Sequence, residues 1–224
     1  MIKEVEIKAN GGPERILWKD CQLEELKPGQ VTIEHTFVGL NFIDTYHRSG
    51  LYPLPLPTRL GMEGAGVVVN KASNVNEYEI GDRVAYVMAL GSYSTQRNIE
   101  ANKLVKIPKF ITDQQAAAVL LKGMTVEYLV ERLFKVNNTH TVLFHAVAGG
   151  VGLLACQWLK HLGAKIIGTA GTEEKAILAK QNGCDEVILY KNENLVLELP
   201  KLLSIQRNDE ENSNFKSTVS HRDF

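Results

Sequence analysis

The chain has 224 residues, 44% of them hydrophobic and 23% charged, with a net charge of −1. Such a composition gives an ordinary globular protein, long enough for one large domain or two small ones. Near-neutral charge argues against a nucleic-acid partner gripped mainly through phosphates, and the most apolar run, residues 116–121, is too short to cross a membrane.

The N-terminus, Met1-Ile2-Lys3-Glu4-Val5-Glu6, alternates charge with apolar residues and reads as a strand, not a signal peptide. Cys21, Cys156 and Cys184 are isolated and odd in number, which points to a reducing, cytoplasmic setting without a disulfide framework. Residues 1–110 look β-rich. Val31-Thr32-Ile33-Glu34-His35-Thr36-Phe37-Val38 alternates with period two. Gly66-Val67-Val68-Val69 and Arg83-Val84-Ala85-Tyr86-Val87 are further strands, with turn chemistry at Lys27-Pro28-Gly29 and Ile80-Gly81-Asp82. Short strands in this order suggest a small barrel or sandwich. Pro53, Pro55 and Pro57 force an extended surface loop.

Thr112-Asp113-Gln114-Gln115 matches a capping box and predicts a helix over residues 113–121, with a break at Lys122-Gly123 and a second helix over 124–134. From Thr141 the pattern becomes strand, helix, strand, helix, strand: strands over 141–146, 165–170 and 186–190. The first helix covers 151–162 and stops at Gly163; Thr172 caps the second, which ends near Gly183. Such alternation specifies a parallel sheet with crossover helices. Beyond residue 199 the patterning stops, and the polar run Asn208-Asp209-Glu210-Glu211-Asn212 predicts a disordered tail over 200–224.

The most informative stretch is Val142-Leu143-Phe144-His145-Ala146-Val147-Ala148-Gly149-Gly150-Val151-Gly152. A buried strand hands over through glycines to a helix whose N-terminal amides and dipole can hold a phosphate. A dinucleotide pyrophosphate would sit over Gly149, Gly150, Val151 and Gly152, and its adenosine ribose would meet the loop at Gly171. A fold selective for NAD carries Asp or Glu at the end of the second strand; here that place is Ala170-Gly171. Lys175, one helical turn on, could reach a 2′-phosphate, so NADPH is expected over NADH; the alternative is a solvated surface lysine. Glu173 and Glu174 read as first-turn acids favourable to the helix dipole.

No C-x-x-C pair or H-x-x-x-H spacing exists, so the scattered histidines predict no metal, and His145 reads as a packed histidine. There is no G-x-S-x-G elbow or phosphate-binding G-x-x-x-x-G-K-[ST] loop. Asn41-Phe42-Ile43-Asp44-Thr45-Tyr46-His47 and Tyr52 gather polar and aromatic groups before the proline loop. Tyr46 and Tyr52 could stack on a flat acceptor and Asn41 could hold a nicotinamide, although spacing alone favours a turn with ordinary packing.

That segment, Arg48-Ser49-Gly50-Leu51-Tyr52-Pro53, Gly61-Met62-Glu63-Gly64-Ala65-Gly66, Gly81-Asp82-Arg83-Val84-Ala85-Tyr86 and the glycine turn after His145 together resemble the NADPH:quinone oxidoreductases. These form the zeta-crystallin-like, zinc-free branch of the medium-chain dehydrogenase/reductases. The resemblance covers residues 1–195. It implies an α/β plus β fold: a GroES-like, partly open β-barrel over residues 1–111, then a Rossmann NADPH-binding domain over 112–199, with the active site in the cleft between them. Asn41, Tyr46, Thr125, Gly149, Gly150, Val151, Lys175 and Tyr190 would contact NADPH, and Tyr46 and Tyr52 would line the quinone site. Zinc-dependent relatives place a cysteine near Asn41 and G-H-E where this chain has Gly61-Met62-Glu63.

The implied activity is hydride transfer to a quinone; the alternatives are reduction of an enone C=C bond and an inactive dinucleotide-binding module. The partner is then a small molecule, with neither nucleic acid nor membrane. A full Rossmann sheet has about six strands, whereas this chain predicts three, so the resemblance implies a truncated Rossmann domain. The family's return segment and the edge through which it forms homodimers have no counterpart. The expectation is a first strand left as an exposed edge, poor folding and weak turnover.

Overall fold

A run of short strands builds the first part of the chain: β1 (Ile2–Ile7), β2 (Leu17–Cys21), β3 (Gln30–Gly39), β4 (Thr58–Arg59), β5 (Glu63–Lys71), β6 (Arg83–Val87), β7 (Gln96–Glu100) and β8 (Val105–Lys106), interrupted by helix α1 (Phe42–Ser49). The computed structural model describes residues 1–204. Helix α2 (Asp113–Glu127) follows, then β9 (Thr141–Phe144), α3 (Gly150–His161), β10 (Lys165–Ala170), α4 (Glu173–Gln181), β11 (Glu186–Leu189) and α5 (Leu195–Ser204). The chain divides into two compact units, one over Met1–Thr125 and one from Val126 on. Among the described residues no helix is long and apolar enough to cross a membrane.

In the first unit, antiparallel sheets run in the orders β2-β1-β4 and β7-β3-β5-β6-β8, joined by a bridge between Glu4 and Ser94. Alternation puts Val31 and Ile33 of β3 inward against Val68, Val84, Tyr86 and Ile99, all buried. Two register irregularities in β3, one between His35 and Phe37, bend the strand. The capping box at Thr112 forms as predicted: the Gln115 amide accepts Oγ1–H and N–H of Thr112, and Thr112 Oγ1 accepts Gln115 N–H. Arg83 ties this helix start to β6, donating to Asp113 Oδ1 at 2.7 Å and to the Ile111 carbonyl at 2.6 Å.

The predicted break at Gly123 does not occur. Helix α2 continues to Glu127 and widens into a π-helical stretch, Tyr128–Leu133, in place of a second helix. A helical glycine costs only about 1 kcal/mol. Here Ala117 packs against Ala65, Ala85 and Ile107 on one side of it, and Val126 and Val130 pack into the second unit's core on the other.

The second unit holds a parallel sheet in the order β11-β10-β9. Central β10 is buried on both faces, as its Ile166-Ile167 pair requires. Within the described residues β9 pairs only with β10 and forms the sheet edge. The predicted tail begins too early: Asn194 starts helix α5, its Oδ1 accepting Val196 N–H at 2.9 Å, and the helix runs through Pro200 to Ser204. The remainder of that tail lies outside the described residues.

Candidate active site

The carboxyl ends of the parallel strands carry the second unit's site residues. Beyond β9 the chain turns sharply, with Ala146 in the left-handed region at φ 51° and its carbonyl accepting Gly149 N–H at 2.8 Å. That conformation costs about 1–2 kcal/mol for a residue with a Cβ. Thr169 of β10 holds the turn: its hydroxyl accepts Ala146 N–H at 3.2 Å and its carbonyl accepts Val147 N–H at 3.1 Å. His145 touches the same hydroxyl at 3.3 Å but is exposed, so the packed reading is wrong; strand β9 ends before it, at Phe144.

Helix α3 starts at this turn without a side-chain cap and without an acid in its first turn. Its first helical bond runs from Leu153 N–H to Gly149 C=O, so the amides of Gly150, Val151 and Gly152 precede the ladder. Gly152 has no room for a side chain: a Cβ there would collide with the Val147 carbonyl and lie 2.7 Å from the Ala146 carbonyl oxygen. Uncapped amides at a helix start, brought against the strand end by a glycine, fit a pyrophosphate.

One strand over, Gly171 lies under the Tyr190 hydroxyl, 2.7 Å from where its Cβ would be. Thr172 caps α4 by accepting Lys175 N–H at 3.4 Å, and the Lys175 side chain is exposed. Glu174 is held below the usual carboxylate range by its own backbone amide and the Thr172 side chain, which matches a first-turn acid folded onto its own helix. Gly171, Tyr190 and Lys175 thus share the end of the sheet with the glycine turn.

In the first unit the segment around Tyr46 is helix α1, not a turn. Asp44 Oδ2 accepts Asn41 N–H at 2.9 Å, the reciprocal half of a capping box, and Gly50 closes the helix at φ 86°. The rings of Tyr46 and Tyr52 meet edge to face at 5.3 Å, and His47 packs beside Tyr52 at 6.5 Å. Asp44 is buried and also accepts the Tyr93 hydroxyl at 2.7 Å. Burial holds its carboxyl above the usual carboxylate range, against the pull of Tyr93 and Asn41. Thr125 ends this unit with its hydroxyl turned back to the Leu121 carbonyl at 2.9 Å.

Sequence reasoning quoted Glu63 only as part of a motif. The structure makes it a hub. It is fully buried at the start of β5, accepting Leu121 N–H at 2.6 Å and Asn41 Nδ2–H at 3.0 Å, with Lys122 Nζ 3.7 Å away. The available signal was a carboxylate inside an otherwise apolar glycine-rich strand start. Among the described residues no group of three or more His, Cys, Asp or Glu side chains is placed to hold a metal ion.

Residues 27–130 match the alcohol dehydrogenase GroES-like domain, and residues 150–207 match the zinc-binding dehydrogenase family. A quinone oxidoreductase of Pseudomonas aeruginosa is 50% identical over 204 residues, which covers 89% of this chain and 63% of that protein. The crystal structure of Escherichia coli quinone oxidoreductase complexed with NADPH superposes with a TM-score of 0.88 at 45% identity, covering 90% of this chain and 63% of that one. This chain belongs to the quinone oxidoreductase family. Its fold is the GroES-like domain followed by a Rossmann-type parallel sheet that this class of medium-chain dehydrogenase/reductases carries. A 2-haloacrylate reductase of Burkholderia is 40% identical over 201 residues, covering 86% of this chain and 60% of that protein. The chain spans about three fifths of the length of these relatives.

Proposed function

We propose that the chain binds NADPH and reduces quinones without zinc. The observation that carries this reading is the uncapped start of α3, pressed onto the Ala146 turn by Gly152. Gly149, Gly150, Val151 and Gly152 hold the pyrophosphate through backbone amides, while Gly171 and Tyr190 shape the ribose end. Lys175 takes the 2′-phosphate, with no carboxylate at the tip of β10 to repel it. Asn41, Tyr46 and Thr125 serve the nicotinamide half, and one ring of the edge-to-face pair Tyr46–Tyr52 offers its face to the acceptor.

The bound cofactor supplies a hydride; the quinone accepts it with one proton to give the hydroquinone. A quinone accepts electrons readily, so orientation and exclusion of water are what these residues contribute, with the Tyr46 hydroxyl the candidate proton donor. Zinc independence rests on Met62 and Asn41, which supply no thiolate or imidazole where zinc-dependent relatives of this class carry them.

Loss of NADPH absorbance with 1,4-benzoquinone tests the activity, and a 2-haloacrylate in parallel tests the second reading, which the Burkholderia relative favours. Quinone-dependent oxidation above the background rate is expected. NADPH binding without oxidation of either substrate would leave only a dinucleotide-binding module. Lys175→Glu should raise the Michaelis constant for NADPH about thirtyfold and leave that for NADH nearly unchanged, the loss of a charge-assisted phosphate contact replaced by repulsion. Equal effects on both cofactors would overturn the assignment of Lys175.

A further inference from the structure

We propose that Glu63 is a positioning residue that fixes the Asn41 amide for the nicotinamide end of the cofactor. The inference rests on the NADPH reading above. Among the described residues three donors meet the Glu63 carboxylate: the Leu121 amide at 2.6 Å, Asn41 Nδ2 at 3.0 Å and the Lys122 ammonium at 3.7 Å. An ionised carboxylate is acceptor-only, so it satisfies all three at once. Two contacts decide the orientation of Asn41: its side chain accepts the Asp44 N–H in the capping box of α1, and its nitrogen donates to Glu63.

The carboxylate is enclosed and held by three partners. Glu63 is fully buried, and at Gly39, its partner across β3 and β5, a Cβ would collide with Glu63 Oε2 and the Ala117 carbonyl of α2. Gly39 thus leaves the space that the Glu63 carboxylate fills, and the carboxylate in turn holds the Asn41 amide. Asn41 Nδ2 reaches its partner from the residue that opens α1, the helix that carries Tyr46. A buried charge in a strand start, surrounded by donors from two helices, costs desolvation that packing alone would not require.

Glutamine at position 63 must turn an NH2 toward one of three donors. With its oxygen kept on the Leu121 amide, its nitrogen faces Asn41 Nδ2, and the Asn41 amide has to flip or leave. Glu63→Gln should therefore weaken NADPH about tenfold in a fluorescence titration while leaving adenosine 2′,5′-bisphosphate, which lacks the nicotinamide, unchanged. Asn41→Ala should give the same selective loss, and the double variant Glu63→Gln with Asn41→Ala should be no worse than either single change. The pair Glu63→Gln with Asn41→Asp restores donor-to-acceptor pairing, so thermal stability should recover toward that of the parent while NADPH affinity stays low.

Additive losses, or an Asn41→Ala variant that binds NADPH as the parent does, would overturn the proposal, as would a Glu63→Gln variant that weakens both ligands equally. Absence of binding by the bisphosphate to the parent chain would instead strike the NADPH reading itself.

Discussion

Gly152→Ala is expected to destabilise the chain by about 3 kcal/mol and to weaken NADPH by well over tenfold. Substitution of glycine is often tolerated where the added methyl meets the far end of a flexible side chain. Here it meets main chain: the Val147 carbonyl group and, 2.7 Å away, the Ala146 carbonyl oxygen. Those carbonyls are not free to move. Ala146 is already in the left-handed region at φ 51°, and Thr169 holds the amides of Ala146 and Val147. The start of α3 must lift off the turn instead, taking the amides of Gly150, Val151 and Gly152 away from the phosphate position. Urea denaturation and an NADPH titration of the same variant check both halves. A stable variant that has lost binding would mean the helix start is more compliant than the packing indicates; full retention of both would contradict the account of the turn.

Acid should unfold this protein partly through His35. Its Nδ1 lies 2.7 Å from the Ser94 carbonyl, which can only accept, so Nδ1 carries the hydrogen and Nε2 accepts from the Tyr86 hydroxyl at 2.8 Å. Arg97 Nη1 reaches that hydroxyl at 3.3 Å and the Ala89 carbonyl at 2.8 Å. Burial, with the Arg97 cation adding to it and the Ser94 carbonyl opposing, lowers the His35 pKa from the ordinary 6.5 to about 4. A depressed value in the folded state means the unfolded chain takes the proton first as pH falls. The stability His35 contributes is therefore complete above pH 6.5 and drains away down to about pH 4. The loss approaches about 3 kcal/mol. Between pH 7 and pH 4 the parent chain should lose that much more stability than a His35→Gln variant in parallel denaturation curves. Identical pH slopes for the two would show that the imidazole is not held neutral.

Features written in local chemistry were legible in the sequence. The capping box at Thr112, the cap at Thr172 and the strand of β10 follow from residue types a few positions apart, and the structure places each where those types predict. The glycine turn was legible for the same reason, since its close approaches involve residues within a few positions of one another. What the sequence concealed depends on distant partners. Gly123 looked like a break because its own propensity is poor, and only packing of α2 at both ends overrides it. Pro200 looked like the start of a tail, yet Asn194 had already capped a helix that carries it. The Glu63 hub joins positions 41, 63 and 121, and no local pattern reports such a meeting.

The central claim is that the uncapped start of α3 holds a pyrophosphate and that Lys175 adds a place for one more phosphate. Titration of the purified, folded chain with NADPH and with NADH, followed by nicotinamide fluorescence, tests it most directly. The account predicts saturable binding with NADPH the tighter ligand. No fluorescence change with either nucleotide, from material whose far-UV circular dichroism shows the fold intact, would contradict it.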